Sequence, residues 1–426
     1  MAANNATNEN ELLASSIRGK LHRQSPLRAH HSVFRIPNVL LNGNEKIYVP
    51  KLLSIGPFHR GLSLETMEGV KLRYLHCLLE RNPTPNTGLV YFVEAIRGME
   101  QDCRNCYEEH IDMLSDEFVE MLVVDGCFII ELFRKFSAQV PIEVDDPVIH
   151  KSWMRTTLIN DLLLLENQLP WMVVECLFNL TQDTTAGNNY PLPLPLLELT
   201  LRYFKESTLG MYPKVNGTFG NKHLLDFIKN SLLGSYAEKN EFEPSIWSPI
   251  PSATNLKKAG VIFRCGKKDD MLNIIYENNV MKIPPIRIHV NGESLFRNII
   301  AYEQCEPIGI SKFTSYAVVL ENLIKCEDDV EFLTERGIIV NFSGCDIPLL
   351  MSNLASDVRV YNFSYEKLYK EVNAYYRHPL TRLIAPYRRL VEDPLAFANF
   401  TYAVILVTAL TFVQTVISVL TYDKSR

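Results

Sequence analysis

The stretch Ser115-Asp-Glu-Phe-Val-Glu-Met-Leu-Val-Val-Asp-Gly-Cys-Phe-Ile-Ile-Glu-Leu-Phe-Arg-Lys-Phe136 decides the fold class. Phe118, Met121, Leu122, Ile129, Leu132 and Phe136 line one side of a helix and return at its period, which is the pattern of a face turned to a core. Ser115 is a residue type that caps a helix start. Asp125 falls at the centre of the apolar stripe, so this helix points a carboxylate inward. A carboxylate there must be paired, hydrogen-bonded or neutralised.

Working outward, the same period recurs on both sides. Leu64, Met67, Val70, Tyr74 and Leu78 mark one preceding helix, and Leu89, Val93, Ile96, Met99, Cys103, Tyr107 and Leu114 mark another. A fourth helix is expected over 152–168, with Asp161 set between Leu158, Leu162 and Leu165. Pro170 suits the first turn of a fifth, ending near Leu180. The polar run 181–190 reads as a loop, and Pro191-Leu-Pro-Leu-Pro195 as a rigid spacer.

Charge, Ser and Pro without periodicity mark 237–251 as a linker. Beyond it a short helix over 252–259 is stopped by Gly260. Val261-Ile-Phe, Leu272-Asn-Ile-Ile-Tyr276, Val280-Met-Lys-Ile283 and Ile286-Arg-Ile-His-Val290 read as short strands, with Asn278-Asn279 as a hairpin turn. Helices resume over 294–304, 314–324, 327–336, 347–354 and 364–375. No repeat of solenoid period is visible.

From Leu395 to Tyr422 the sequence holds no charged residue. About 20 such residues cross a bilayer as a helix, and Tyr402 and Tyr422 sit where interfacial aromatics belong. Arg377, Arg382, Arg388 and Arg389 precede this span, while Lys424 and Arg426 follow it, which favours a cytosolic body. Six N-x-S/T sequons, at Asn5, Asn179, Asn216, Asn341, Asn362 and Asn399, argue weakly the other way. No secretory signal is visible before His31.

The 426 residues, 47% hydrophobic and 22% charged, describe a globular chain with ample core, not a collagen, a wholly disordered chain or a disulfide mini-scaffold. A net charge of −6 offers no basic field for nucleic acid. Nine scattered cysteines fit no secreted framework, and Cys103-x-x-Cys106 reads as two thiols on one helical face. No phosphate loop, dinucleotide turn, H-E-x-x-H or G-x-S-x-G elbow is present, and neither His30-His31 nor His59 has a partner cluster. No metal, cofactor or catalytic residue is therefore assigned. Asp125, Glu131, Asp161, Glu166, Asn167 and Gln168 are assigned to a structural polar network.

Several ordered motifs resemble the plant domain-of-unknown-function 247 family. They are Val33-Phe-Arg-Ile-Pro37, Tyr48-Val-Pro-Lys-Leu-Leu-Ser-Ile-Gly-Pro-Phe-His-Arg-Gly61, Met67-Glu68, Asp125-Gly-Cys-Phe-Ile-Ile-Glu131, Asp161-Leu-Leu-Leu-Leu-Glu-Asn-Gln-Leu-Pro-Trp171 and Ser294-Leu-Phe-Arg-Asn-Ile-Ile-Ala-Tyr-Glu-Gln304. The likeness runs from about Val33 to Tyr422. It implies a plant membrane-associated protein with a C-terminal anchor and no established catalysis, some relatives being recognition determinants in grass self-incompatibility. It supplies no catalytic residues to carry over.

The expectation is a mainly α fold: a helical two-lobed body with a small antiparallel β cluster in the second lobe, plus one C-terminal transmembrane helix. Its plan is a disordered tail over 1–32, a helical lobe over 33–236, the linker over 237–251, an α+β lobe over 252–376, a basic juxtamembrane segment over 377–394, the span over 395–422 and a short tail over 423–426. The function expected is non-enzymatic recognition at a plasma membrane or endomembrane. Its partners would be the lipid bilayer, through the last helix, and a protein the sequence does not name. A membrane-tethered hydrolase using the buried carboxylates is the alternative.

Overall fold

The computed structural model describes residues 12–18, 31–41, 45–61, 65–81, 88–182, 194–205, 220–233, 247–267, 270–288, 292–306, 311–342, 344–356, 358–360, 362–379 and 394–424. Most of the expected tail 1–32, the polar loop beyond Gln182, the start of the proline spacer, the linker before Trp247, most of the juxtamembrane segment and the last two residues lie outside them. Within the expected tail, 12–18 is an exposed helix, and Ser32 is buried.

The first half is built on α1 (Glu65–Arg81), α2 (Leu89–Gly98), α3 (Glu100–Asn105) and α4 (Ser115–Phe136). Then follow α5 (Ser152–Leu162), α6 (Trp171–Leu180), α7 (Leu196–Phe204) and α8 (Leu224–Leu233). The deciding stretch is more than a one-sided helix. Of the residues between Phe118 and Lys135 only Glu120 escapes burial, because α1, α2, α3, α6 and α7 all pack around α4. Such all-round burial is the signature of a central core helix. Gly126 lets α6 approach, since a Cβ there would stand 2.5 Å from Leu177 Cδ1.

Three expected boundaries shift, each for a visible reason. The stripe over 89–114 is two helices broken at Gly98-Met99, after which the chain extends so that the Cys106 carbonyl accepts the N–H groups of Ser32 and Val33. Ser115 does not cap α4; its hydroxyl donates to Glu100 Oε2 at 2.6 Å. The fourth helix stops at Leu162, because the Asn167 and Gln168 amides take the carbonyls of Asp161, Leu162 and Leu164.

The second half carries α9 (Ala253–Lys258), β1 (Ile262–Cys265), β2 (Ile275–Glu277), β3 (Val280–Ile283) and β4 (Ile286–Ile288). It continues with α10 (Gly292–Cys305), α11 (Lys312–Leu323), α12 (Glu327–Glu335), β5 (Ile339–Asn341), α13 (Ile347–Ala355) and α14 (Glu366–Arg377). The strand cluster is mixed rather than purely antiparallel. β2 and β3 form the expected hairpin, with Asn278 and Asn279 at φ 50° and 62° as a two-residue left-handed turn requires. β1, however, joins β3 in parallel (Ile262 opposite Val280), and β4 pairs in parallel with β5, a three-residue strand too short to show a pattern.

The two lobes are not separate cores. Buried side chains run continuously from Val33 to Val372, and Trp247, at the end of the expected linker, stacks on Phe363 at 4.4 Å. α15 (Pro394–Lys424) closes the chain. Its 21-residue stretch Ala398–Ser418 is long and apolar enough to cross a membrane and has none of its length buried. At about 1.5 Å per residue that stretch matches a hydrocarbon layer of about 30 Å.

Candidate functional site

The motif residues meet beneath a strap, described over 31–41 and 45–61, that lies across α1, α4 and the turn after α5. The strap has little regular structure of its own, so its backbone polar groups need partners from elsewhere. Asp161 supplies three: its Oδ1 accepts the Lys51 N–H at 3.0 Å, and its Oδ2 accepts Leu52 at 2.7 Å and Leu53 at 2.9 Å. Asn167 continues the row, accepting Ile55 N–H at 2.6 Å and donating to the carbonyls of Leu53 and Asp161.

Asp125 takes the next group along, the Gly56 N–H, at 2.9 Å. Its other oxygen lies 2.7 Å from Lys71 Nζ, both side chains being 1% exposed. Lys71 in turn donates to Ser54 O and to Glu68 Oε1 at 2.6 Å. Burial pushes the Asp125 carboxyl above its ordinary pKa against the pull of Lys71 and the Gly56 amide. Burial likewise raises Asp161 against its three backbone amides. Gly56 itself sits at φ +72°, and a Cβ there would stand 2.6 Å from the Gln168 carbonyl oxygen, so only glycine fits.

Glu166 holds the front of the strap. Its Oε1 accepts Ile36 N–H at 2.8 Å and its Oε2 accepts Arg35 Nη1 at 2.8 Å. Gln168 faces inward, accepting Leu225 N–H at 3.0 Å, while its backbone carbonyl takes the Tyr107 hydroxyl at 3.1 Å. The six assigned residues therefore do not form one cluster. Asp125, Asp161 and Asn167 converge on 51–56, Glu166 on 35–36, and Gln168 joins the α5 end to α8. Glu131 stands apart, fully buried and paired through both oxygens with Arg81 at 2.6 and 2.7 Å. Sequence reasoning missed Lys71, though it falls four residues after Met67 on the stripe of α1. It also missed Gly56 and Arg35, which stand inside the quoted motifs.

A second polar cluster links α8 to α10. Lys229 Nζ lies 2.5 Å from Glu306 Oε2, Lys222 pairs with Glu306 at 2.7 Å, and the Tyr302 hydroxyl donates to Asp226 at 3.2 Å. Although burial opposes it, Lys229 and Lys222 hold the Glu306 carboxyl down to about 2. Glu303 receives the N–H groups of Phe313 and Thr314 and so anchors the start of α11.

Chemically, these are holding arrangements. No nucleophile stands beside either aspartate among the contacts described, and among the described residues no group of three or more His, Cys, Asp or Glu could hold a metal ion. Cys103 and Cys106 are free thiols, buried and half-buried, and burial pushes the Cys103 thiol up to about 12. An apolar crevice between α4, α6 and the Asn167–Trp171 turn has room for about one water molecule.

This mainly helical body, with its clasp and its bare apolar C-terminal helix, carries the sequence of a plant family of unknown function. The chain belongs to that family, the plant proteins of unknown function whose model, domain of unknown function 247, matches residues 33–409. It is similar to a UPF0481 protein of Arabidopsis thaliana, 29% identical over 92% of this chain and 87% of that protein. A putative UPF0481 protein of the same plant is 21% identical over 81% of this chain and 82% of its own length. No solved structure matches.

Proposed function

We propose that the protein is a non-enzymatic recognition protein, held at a plasma membrane or endomembrane by α15 with its body on the cytosolic side. The observation that carries this reading is the state of the motif carboxylates. Asp125, Asp161 and Glu166 already hold backbone N–H groups of the strap, which leaves them occupied rather than poised for acid–base work. The body also leaves large apolar side chains in solvent, Leu72 and Val144 beside the Arg73–Asp145 ion pair and Trp153 at 60% exposure, as a protein-binding surface would.

Proximity labelling with the tag on each terminus in turn tests this directly. Cytosolic proteins labelled from the N-terminus, with one recurring partner lost on Trp153→Ala, would support it. An endoglycosidase-sensitive mass shift at Asn179 or Asn341, both exposed, would put the body on the other side. Turnover abolished by Asp125→Asn in a still-folded protein would replace recognition with hydrolysis.

A further inference from the structure

His59 has no place in the clasp just described, yet it is 8% exposed and its buried Nε2 finds no hydrogen-bond partner. Glu166 Oε2 lies 3.4 Å away. That oxygen already accepts Arg35 Nη1, and the other oxygen of Glu166 holds the Ile36 N–H. Arg35 is fixed in turn. Its guanidinium lies 4.1 Å over the ring of Phe58, the neighbour of His59, and Glu109 reaches its outer edge at 3.2 Å. Cys305 stands against the Arg35 carbonyl, its thiol pushed up to about 12 by burial and hence uncharged.

The charged groups facing His59 are thus Glu166 from the turn after α5 and Arg35 from the strap, with Glu109 behind Arg35. One carboxylate oxygen sits between a permanent cation and an imidazole that can become one. We propose that His59 is a proton-sensitive latch: a proton on its ring sets a second cation beside Arg35 at Glu166 and loosens strap residues 33–36 from the body. Burial lowers the pKa of His59, Glu166 raises it and Arg35 lowers it again, with a net shift downward. A histidine whose folded pKa lies below its unfolded value of 6.5 contributes stability that is whole above 6.5 and is lost as pH falls from there through the lower folded value. The latch is closed at neutral pH and opens under mild acid.

The test is amide hydrogen exchange on the full-length chain in detergent micelles, compared as protection factors at pH 7.5 and 5.5. Val33 and Ile36 amides report the latch, while Leu53 and Ile55, held by Asp161 and Asn167, are the internal control. Protection of Val33 and Ile36 should fall severalfold, up to about tenfold per pKa unit by which the fold lowers the imidazole, while the control amides hold. His59→Gln should lessen the fall, leaving only the share that His223 gives to both proteins. His223, which burial lowers to about 4, acts equally in both proteins and so cancels. The same fall in His59→Gln, or none in the natural chain, overturns the latch. Should the variant not fold, an NMR titration of His59 in the natural chain decides: a value below 6.5 supports the latch and one at or above it sinks it.

Discussion

The clasp and α15 break the ordinary partition of a globular protein in opposite directions. Beneath the strap the interior holds Asp125, Lys71, Asp161 and Asn167, each 2% exposed or less. In α15 the outside is Val, Leu, Ile and Phe, with Phe412 71% exposed and Ile405 66%. The inward polar groups are compensated within the chain, because three strap N–H groups end on one carboxylate and a fourth on another. The outward apolar groups meet no such compensation in the described residues. Polar groups inside thus explain how the body holds together, and apolar groups outside point to what it needs beyond itself.

Removing α15 sharpens the contrast most. Deleting 394–426 should move the body almost wholly from an alkaline-washed membrane pellet to the supernatant; a truncated body that still pellets would show a second attachment. Next come the clasp aspartates. Asp125→Ala takes away one of the two carboxylates that Lys71 pairs with and orphans the buried Gly56 N–H, and should cost about 1–3 kcal/mol in chemical denaturation. Asp161→Ala orphans three N–H groups at about 1–3 kcal/mol each when buried. Because both act on the same strap segment, the double variant should lose less than the sum; strict additivity would mean two independent supports.

A smaller effect belongs to the α8–α10 cluster. Glu306 titrates near 2 in the fold against 4.5 unfolded, so its contribution is complete above pH 4.5 and fades as pH falls towards 2. Glu306→Gln should flatten the acid limb of stability in that window, and an unchanged limb would assign acid sensitivity elsewhere. Smallest is the exposed pair Arg73–Asp145, whose Asp145→Ala variant should leave the melting temperature where it is.

What the sequence showed follows from what a period can carry. The helices of both halves, the β2–β3 hairpin and α15 were legible because apolar spacing, an Asn-Asn turn and an uncharged run are local signals. The inward position of Asp125 and Asp161 was legible for the same reason. Their partners were not: Gly56 is 69 residues from Asp125 and Leu53 is 108 from Asp161, and those partners are backbone amides that no residue type advertises. The parallel pairing of β1 with β3 and of β4 with β5 was hidden likewise, since parallel neighbours need no turn between them.

The central claim is that the motif carboxylates are there to hold the strap. Native-state hydrogen exchange of the Leu52, Leu53, Ile55 and Gly56 amides at neutral pH tests it most directly. These four should exchange only as slowly as the amides of α4, through global unfolding, despite lying outside any helix or strand. Exchange at the rate of an open loop, with α4 still protected, would show that Asp125, Asp161 and Asn167 do not clasp the strap and would return their carboxylates to the search for chemistry.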